Sequence, residues 1–322
     1  MKVGAKMEKR RKKKNIENMR PLRKPFHRKE LRKKEKSDRL GELVVRNWNN
    51  AIKSGALIVT ENGYEICSEK MKRYKKKLSC SYGKEKKMRV LTIANQKGGI
   101  SKTTTTLNIG AGLLREGKKV LLVDLDTQGD LTYNVGAKEQ PYSLVDVVEN
   151  KALLVDVIQH IPNGLDIIPA SLDLMELESR VVSFDFSSLN YDFILLDCPP
   201  NMAGNTVAAI RASDAVLVPA TADFYAYKSV RAIAQSLITL DRPLNGIILT
   251  RFAGRMVINK QILKDLKNLA TEINTKLYNS IIRECVAVRE SQLMQQSIFD
   301  YDSTASAAED YAALVKEIIQ EE

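Results

Sequence analysis

Lys97 and Lys102 stand five residues apart, separated by Gly98-Gly99-Ile100-Ser101 and followed by Thr103-Thr104. Ammonium groups, hydroxyls and close-lying backbone N–H groups are what a polyphosphate needs around it. Gly98 and Gly99 lack Cβ atoms, so the backbone can turn tightly there and approach phosphate oxygens. The apolar run Arg89–Ala94 before the loop is rich in strand formers, and Thr105–Leu114 after it has helical spacing. Strand, glycine-bearing loop and helix is the context of a phosphate-binding loop. The helix that follows points its positive end at the same place. In this reading Lys102 reaches the β/γ-phosphates and the Thr103 hydroxyl ligates Mg²⁺.

Two acidic strand ends add hydrolytic chemistry. Asp124 and Asp126 follow the end of Val120-Leu121-Leu122-Val123, and their side chains are expected to face different ways. Asp197 ends the apolar run Phe193-Ile194-Leu195-Leu196 and precedes Cys198-Pro199-Pro200. Phosphoryl transfer to water needs one carboxylate or amide to orient the nucleophile and another group near the metal.

The loop Lys97-Gly98-Gly99-Ile100-Ser101-Lys102-Thr103 resembles the deviant Walker A motif, K-G-G-x-x-K-[ST], of the ParA/MinD class of ATPases. Asp124-Leu125-Asp126-Thr127-Gln128-Gly129-Asp130-Leu131-Thr132 is similar to that family's first switch, D-x-D-P-Q-G-N-x-T. Asp197-Cys198-Pro199-Pro200 is similar to its second switch. Thr127 stands where the family has proline, and Ser101 where glycine is commoner. Leu165–Leu174 and Ser297–Tyr311 extend the likeness, which covers about residues 89–320 and is nearest to the partitioning ATPases.

The resemblance implies an ATPase that binds ATP and Mg²⁺ through residues 97–104. Lys97 reaches across a dimer interface, Asp126 positions the hydrolytic water, and Asp197 meets the metal through water. It implies a homodimer on ATP binding, non-specific DNA binding and a ParB-like centromere-binding partner that stimulates hydrolysis. The place implied is the cytoplasm, on the nucleoid. Cys198 falls within the second-switch match and reads as a packing residue.

From residue 89 strand and helix patterns alternate, which predicts an α/β fold with a doubly wound, mostly parallel sheet. Strands are expected at 90–94, 119–123, 165–168, 192–196, 215–218 and 244–250. Helices are expected near 102–116, 142–149, 171–179, 204–212, 227–240, 258–275 and 304–319. Ligands in such sheets sit beyond the carboxyl ends of strands, where all three motifs fall.

Charge divides the chain. Residues 1–88 hold 29 Lys/Arg against 10 Asp/Glu, and the remainder holds 22 against 29. A small basic N-terminal extension therefore precedes a mildly acidic body, and a polyanion is its natural partner. Residues 1–36 read as a disordered basic tail. Residues 37–78 read as helix, hairpin and helix, with Asn62-Gly63 as the turn, a segment that binds DNA or docks a partner. Residues 79–88 read as a linker to the ATPase domain, 89–322.

Cys67, Cys80, Cys198 and Cys285 show no zinc-type spacing, and no apolar run has the length of a membrane span. Lys260, Lys264 and Lys267 recur on one helical face, opposite Ile262, Leu263, Leu266, Leu269 and Ile273. With Arg283 and Arg289, expected in loops nearby, they are the candidate DNA contacts. Two alternatives stand beside partitioning. One is an ATP-switched repressor. The other is a MinD-like positioning ATPase, against which the acidic end Lys316–Glu322 argues, since MinD ends in a basic membrane helix.

Overall fold

The computed structural model describes residues 57–60, 63–66, 88–138 and 140–321. The expected tail, the helices flanking the hairpin and most of the linker lie outside the described residues. The chain divides into two units, 1–85 and 86–322. In the first, β1 (Leu57–Thr60) pairs antiparallel with β2 (Gly63–Ile66), Thr60 opposite Gly63, as the Asn62-Gly63 signal predicts.

The second unit is a seven-stranded sheet. In chain order it comprises β3 (Arg89–Ile93), α1 (Lys102–Arg115), β4 (Val120–Asp124), α2 (Asp130–Asn134), α3 (Leu144–Val148) and β5 (Gln159–His160). There follow β6 (Asp166–Ile168), α4 (Met175–Glu178), β7 (Phe193–Asp197), α5 (Gly204–Ala212), β8 (Ala215–Thr221) and α6 (Ala226–Thr239). The last elements are β9 (Gly246–Thr250), α7 (Val257–Glu272), α8 (Val286–Leu293), α9 (Ile298–Tyr301) and α10 (Ser306–Ile319). Strand order is β5-β6-β4-β7-β3-β8-β9, parallel throughout except for β5 against β6. The loop-bearing strand β3 thus lies between β7, which ends in Asp197, and β8.

Alternation along the strands builds a core on each face. Leu91 and Ile93, Val120 and Leu122, and Phe193 and Leu195 meet the buried faces of α1 and α10. Val90, Leu121 and Val123, and Ile194 and Leu196 meet α5, α6 and α7. Strands buried on both faces are why these runs are continuously apolar. The six expected strands and seven expected helical stretches are all present within a few residues. Sequence reading passed over β5, α2, α8 and α9, each eight residues or shorter. Such elements hold too few turns or alternations for a periodicity to emerge.

The C-terminal signature has a packing role. Tyr311 is buried with its hydroxyl 3.3 Å from Thr105 Oγ1, and Asn108 Oδ1 accepts the N–H of Ile298 at 2.8 Å. Both contacts brace α1, the helix behind the phosphate-type loop.

Gly204 opens α5 where a Cβ would lie 2.2 Å from the carbonyl oxygens of Leu177 and Arg180. Backbone atoms cannot swing aside as a side-chain tip can. Gly204→Ala should lower the unfolding free energy by roughly 3 kcal/mol in urea melts. A loss below about 0.5 kcal/mol would mean that the helix end shifts freely.

Candidate functional site

Residues 98–104 form one wall of a cleft of about 440 Å³ at the carboxyl end of the sheet. Gly99 has φ 69° and Ser101 φ 69°, so the loop twice enters the left-handed region before α1 begins at Lys102. Such backbone, leading into a helix, makes a concavity of N–H groups suited to an anion. Ser101 is the N-cap of α1, yet its side chain makes no capping hydrogen bond. A left-handed non-glycine residue costs about 1–2 kcal/mol, and this one has no local contact to offset it.

Lys102 is buried, its Nζ 3.4 Å from the carbonyl oxygen of Lys97. Burial draws its pKa down, while the carboxylates of Asp197 and Asp126 pull it back up. Asp197 is 1% exposed and accepts a hydrogen bond from Thr106 Oγ1 at 3.1 Å. Its Oδ2 is buried with no hydrogen-bond partner. Burial first, then the Asp124 carboxylate, push its pKa up to about 8. An orphaned carboxylate oxygen beside a hydroxyl-rich helix start fits a hydrated divalent cation.

Asp124 and Asp126 face different ways as expected, but not through strand alternation, which sets residues two apart on one face; β4 ends at Asp124 and Asp126 lies in the loop beyond it. Asp124 is fully buried, accepts from the N–H and hydroxyl of Thr132 at 2.8 and 2.7 Å, and takes the N–H of Asp126 at 3.2 Å. Burial raises its pKa to about 6 against those hydrogen bonds. Asp126 lies on the cleft wall, half-buried, and its Oδ1 accepts the N–H of Gln128 at 3.1 Å. Asp124 therefore shapes the loop, and Asp126 faces what enters the cleft. Cys198 is buried among apolar side chains, and burial pushes its thiol pKa well up, which fits a packing role.

Lys97 does not line its own cleft. Its Nζ is 2.6 Å from Asp223 Oδ2 and 5.6 Å from the centre of the Tyr225 ring. Asn95 supports this turn, its Oδ1 accepting the N–H of Lys97 at 3.2 Å and its Nδ2 donating to Pro219 O at 2.9 Å. Sequence reading missed Asp223. The available signal was an acid just past the carboxyl end of a central strand. It also missed Gln292, which donates to Thr104 Oγ1 at 2.8 Å from α8.

The candidate DNA contacts separate. Lys260, Lys264 and Lys267 are exposed on α7, and among the described residues none has an ion-pair partner. Arg283 and Arg289 lie instead on the cleft wall. The segment carrying Arg283 runs beside the end of β9, with Phe252 bridged to Arg283. Arg283 is held by Asp310 at 2.8 Å and Glu309 at 3.1 Å. Arg289 sits in α8, not a loop, and pairs with Glu284 at 3.2 Å. Both are exposed and ion-paired, unlike the three lysines among the described residues.

A family model described as an AAA domain matches residues 88–249. The chain is 31% identical over 250 residues to the sporulation initiation inhibitor protein Soj of Bacillus subtilis, covering 71% of this chain and 98% of that one. It is 32% identical over 258 residues to the chromosome partitioning protein ParA of Caulobacter vibrioides, covering 73% and 95%. The fold resembles that of the septum site-determining protein MinD complexed with Mg-ADP from Pyrococcus horikoshii. That likeness has a TM-score of 0.61, 24% identity, and coverage of 72% and 96%.

Ser101→Gly should relieve the left-handed strain and raise the melting temperature by roughly 1–3 °C, after glycine's own entropy cost. Ser101→Val should lower it, since a β-branched residue tolerates this φ least. Equal melting of all three by calorimetry would refute the strain.

Proposed function

The chain belongs to the ParA/MinD class of deviant Walker A P-loop ATPases, close to the Soj/ParA partitioning proteins, and from that premise we propose that it partitions DNA. ATP hydrolysis comes with the class. The finer reading is a cycle in which ATP drives dimerisation, the dimer binds non-specific DNA, and a ParB-like partner stimulates hydrolysis and release. The relative at 32% identity carries a partition name, whereas the likeness to MinD is one of fold. That contrast favours partitioning over positioning.

The observation that carries the mechanism is the division of labour between the lysines. Lys102 is buried toward Asp197, so its ammonium is placed to meet the phosphates of its own nucleotide. Loop N–H groups from Gly98 to Thr104 share that task. Lys97 points out to Asp223, which supports a role on a partner's nucleotide across a dimer interface. Magnesium, when bound, neutralises phosphate charge; Thr103 would hold it directly and Asp197 through water, as the unpartnered Asp197 Oδ2 favours. Asp126, on the cleft wall and oriented by the Asp124-linked loop, aligns the attacking water.

DNA binding is assigned to Lys260, Lys264 and Lys267. Their exposure without ion pairing leaves them available to phosphates. The basic N-terminal extension is a second source of affinity, and the nucleoid is the resulting location. Among the described residues no helix is long and apolar enough to cross a membrane.

Lys102→Ala should weaken ATP binding by about 100-fold or more, because a charge-assisted phosphate contact is lost. Asp126→Ala should keep ATP binding and lower turnover by about 10²–10⁴-fold. Normal turnover in Asp126→Ala would refute its assignment. Lys97→Ala should keep nucleotide binding by the monomer and lose ATP-dependent pairing, read by sedimentation.

Replacing Lys260, Lys264 and Lys267 by Ala should flatten log K against log salt by about 3 per protomer on duplex DNA. An unchanged slope, with a flattened one after removal of residues 1–88, would move DNA binding to the extension.

A further inference from the structure

The start of α7 departs from the pattern that governs the rest of the helix. Further along, apolar side chains turn inward, and Ile262, Leu266 and Leu269 are buried in the core. Met256, Val257 and Ile258 do the opposite, standing 54%, 82% and 50% exposed at the N-terminal end. A helix start ordinarily carries Ser, Thr, Asp or Asn to cap its free N–H groups. Met256 occupies that position and offers no side-chain cap. Neither burial nor capping therefore accounts for these apolar residues.

The turn that presents them is fixed. Asn259 is buried, its Nδ2 donating to the carbonyl of Ala253 at 3.2 Å and its N–H to that of Met256 at 3.1 Å. The Phe252 N–H donates to the carbonyl of Ile282 at 3.0 Å, and its own carbonyl accepts the N–H of Glu284 at 3.1 Å. Side chains projecting from a turn pinned at both ends lose little backbone freedom on contact.

Their neighbours are cations. Arg255 precedes them, and Lys260, Lys264 and Lys267 follow Val257 at i+3, i+7 and i+10 along one helical face. All four are exposed, and among the described residues none has an ion-pair partner. Past Ile258 no large apolar side chain of α7 is exposed. A helix lying in a membrane interface needs an apolar face along its length, and here the exposed apolar part is one short turn. A short apolar tip flanked by Arg and Lys instead has the form of a minor-groove wedge, in which cations grip the groove and apolar side chains part a base step.

We propose that Met256, Val257 and Ile258 form an apolar wedge that enters the minor groove between base steps and bends the duplex, with Arg255 and the α7 lysines on the flanking phosphates. This rests on the DNA-binding reading above and adds to it a deformation of the DNA. Charge alone binds any duplex alike, whereas a wedge favours steps that unstack easily.

The test uses the full chain with Mg²⁺ and a non-hydrolysable ATP analogue. The probe is a duplex of about 30 base pairs labelled at both ends for energy transfer. The wild-type chain should raise end-to-end transfer. It should also bind a copy with a central mismatch about threefold or more tightly, since a mismatched step is easier to unstack. The variant Met256→Ser, Val257→Gln, Ile258→Gln keeps every charge. It should bind the matched duplex about tenfold more weakly, leave energy transfer at the level of free DNA and lose the mismatch preference. Its slope of log K against log salt should stay that of wild type, because no phosphate contact is removed. Sedimentation should show that it pairs with nucleotide as wild type does.

Equal affinity and bending by wild type and variant would overturn the wedge and leave DNA binding by charge alone standing. Loss of nucleotide-dependent pairing in the variant would overturn it too, by placing the three residues between copies of the chain. So would binding of the wild type, but not the variant, to phosphatidylglycerol vesicles with no bending of DNA by either. Failure of the wild type to bind DNA at all would sink the DNA-binding reading together with the wedge.

Discussion

Two carboxylates buried side by side are the constraint on which this domain depends. Asp124 and Asp197 are register partners on the parallel strands β4 and β7, 0% and 1% exposed. Partners in parallel register point to the same face, here the face that α1 covers. Taking one such charge from water costs several kcal/mol in real proteins, and two together repel. Burial pushes the pKa of both groups up, and the Asp124 carboxylate raises that of Asp197 further. Asp124 is supported by the Thr132 and Asp126 donors, and Asp197 by Thr106 and the Lys102 ammonium. That leaves one buried ammonium near two buried carboxylates. A divalent cation restores the balance, and a site short of positive charge is one prepared to take it.

The Lys97–Asp223 pair obeys different energetics. The two side chains are 31% and 40% exposed, so solvent screens the contact, which is worth at most about 1 kcal/mol. A weak contact suits a residue that must change partners. A buried pair would hold Lys97 too tightly, because breaking it would strand a charge in low dielectric. The exposed pair orients the lysine away from its own cleft, and a phosphate would be a stronger charge-assisted acceptor than the Asp223 carboxylate in this screened contact.

Much of this was legible in the sequence. The apolar runs of β3, β4 and β7 announce buried parallel strands, and the acids that end β4 and β7 announce the site. Asp124 and Asp126 were expected to face different ways, and they do because β4 ends between them, a boundary that strand alternation does not supply. What stayed hidden depends on contacts between distant segments. Asp223 meets Lys97 across 126 positions, and Gln292 meets Thr104 across 188. No local pattern encodes either. Arg289 was expected in a loop and lies in α8. Residues 277–283 run along β9, which sets Arg283 on the cleft wall. The left-handed Ser101 was visible only as a departure from the usual glycine.

The sheet order sets an acidic groove and a basic helix face apart. The acidic groove gathers at the carboxyl ends of β4 and β6, in one half of the sheet. The lysines of α7 follow β9, the strand at the far edge of the other half. Between the two lie β7 and β3, which carry Asp197 and the phosphate-type loop. The nucleotide loop is the element that both halves share. Hydrogen bonds run from it and its neighbouring strand end to both sides of the sheet, through Asp124, Thr132 and Ala170 on one side and Lys97 and Asp223 beyond β8 on the other.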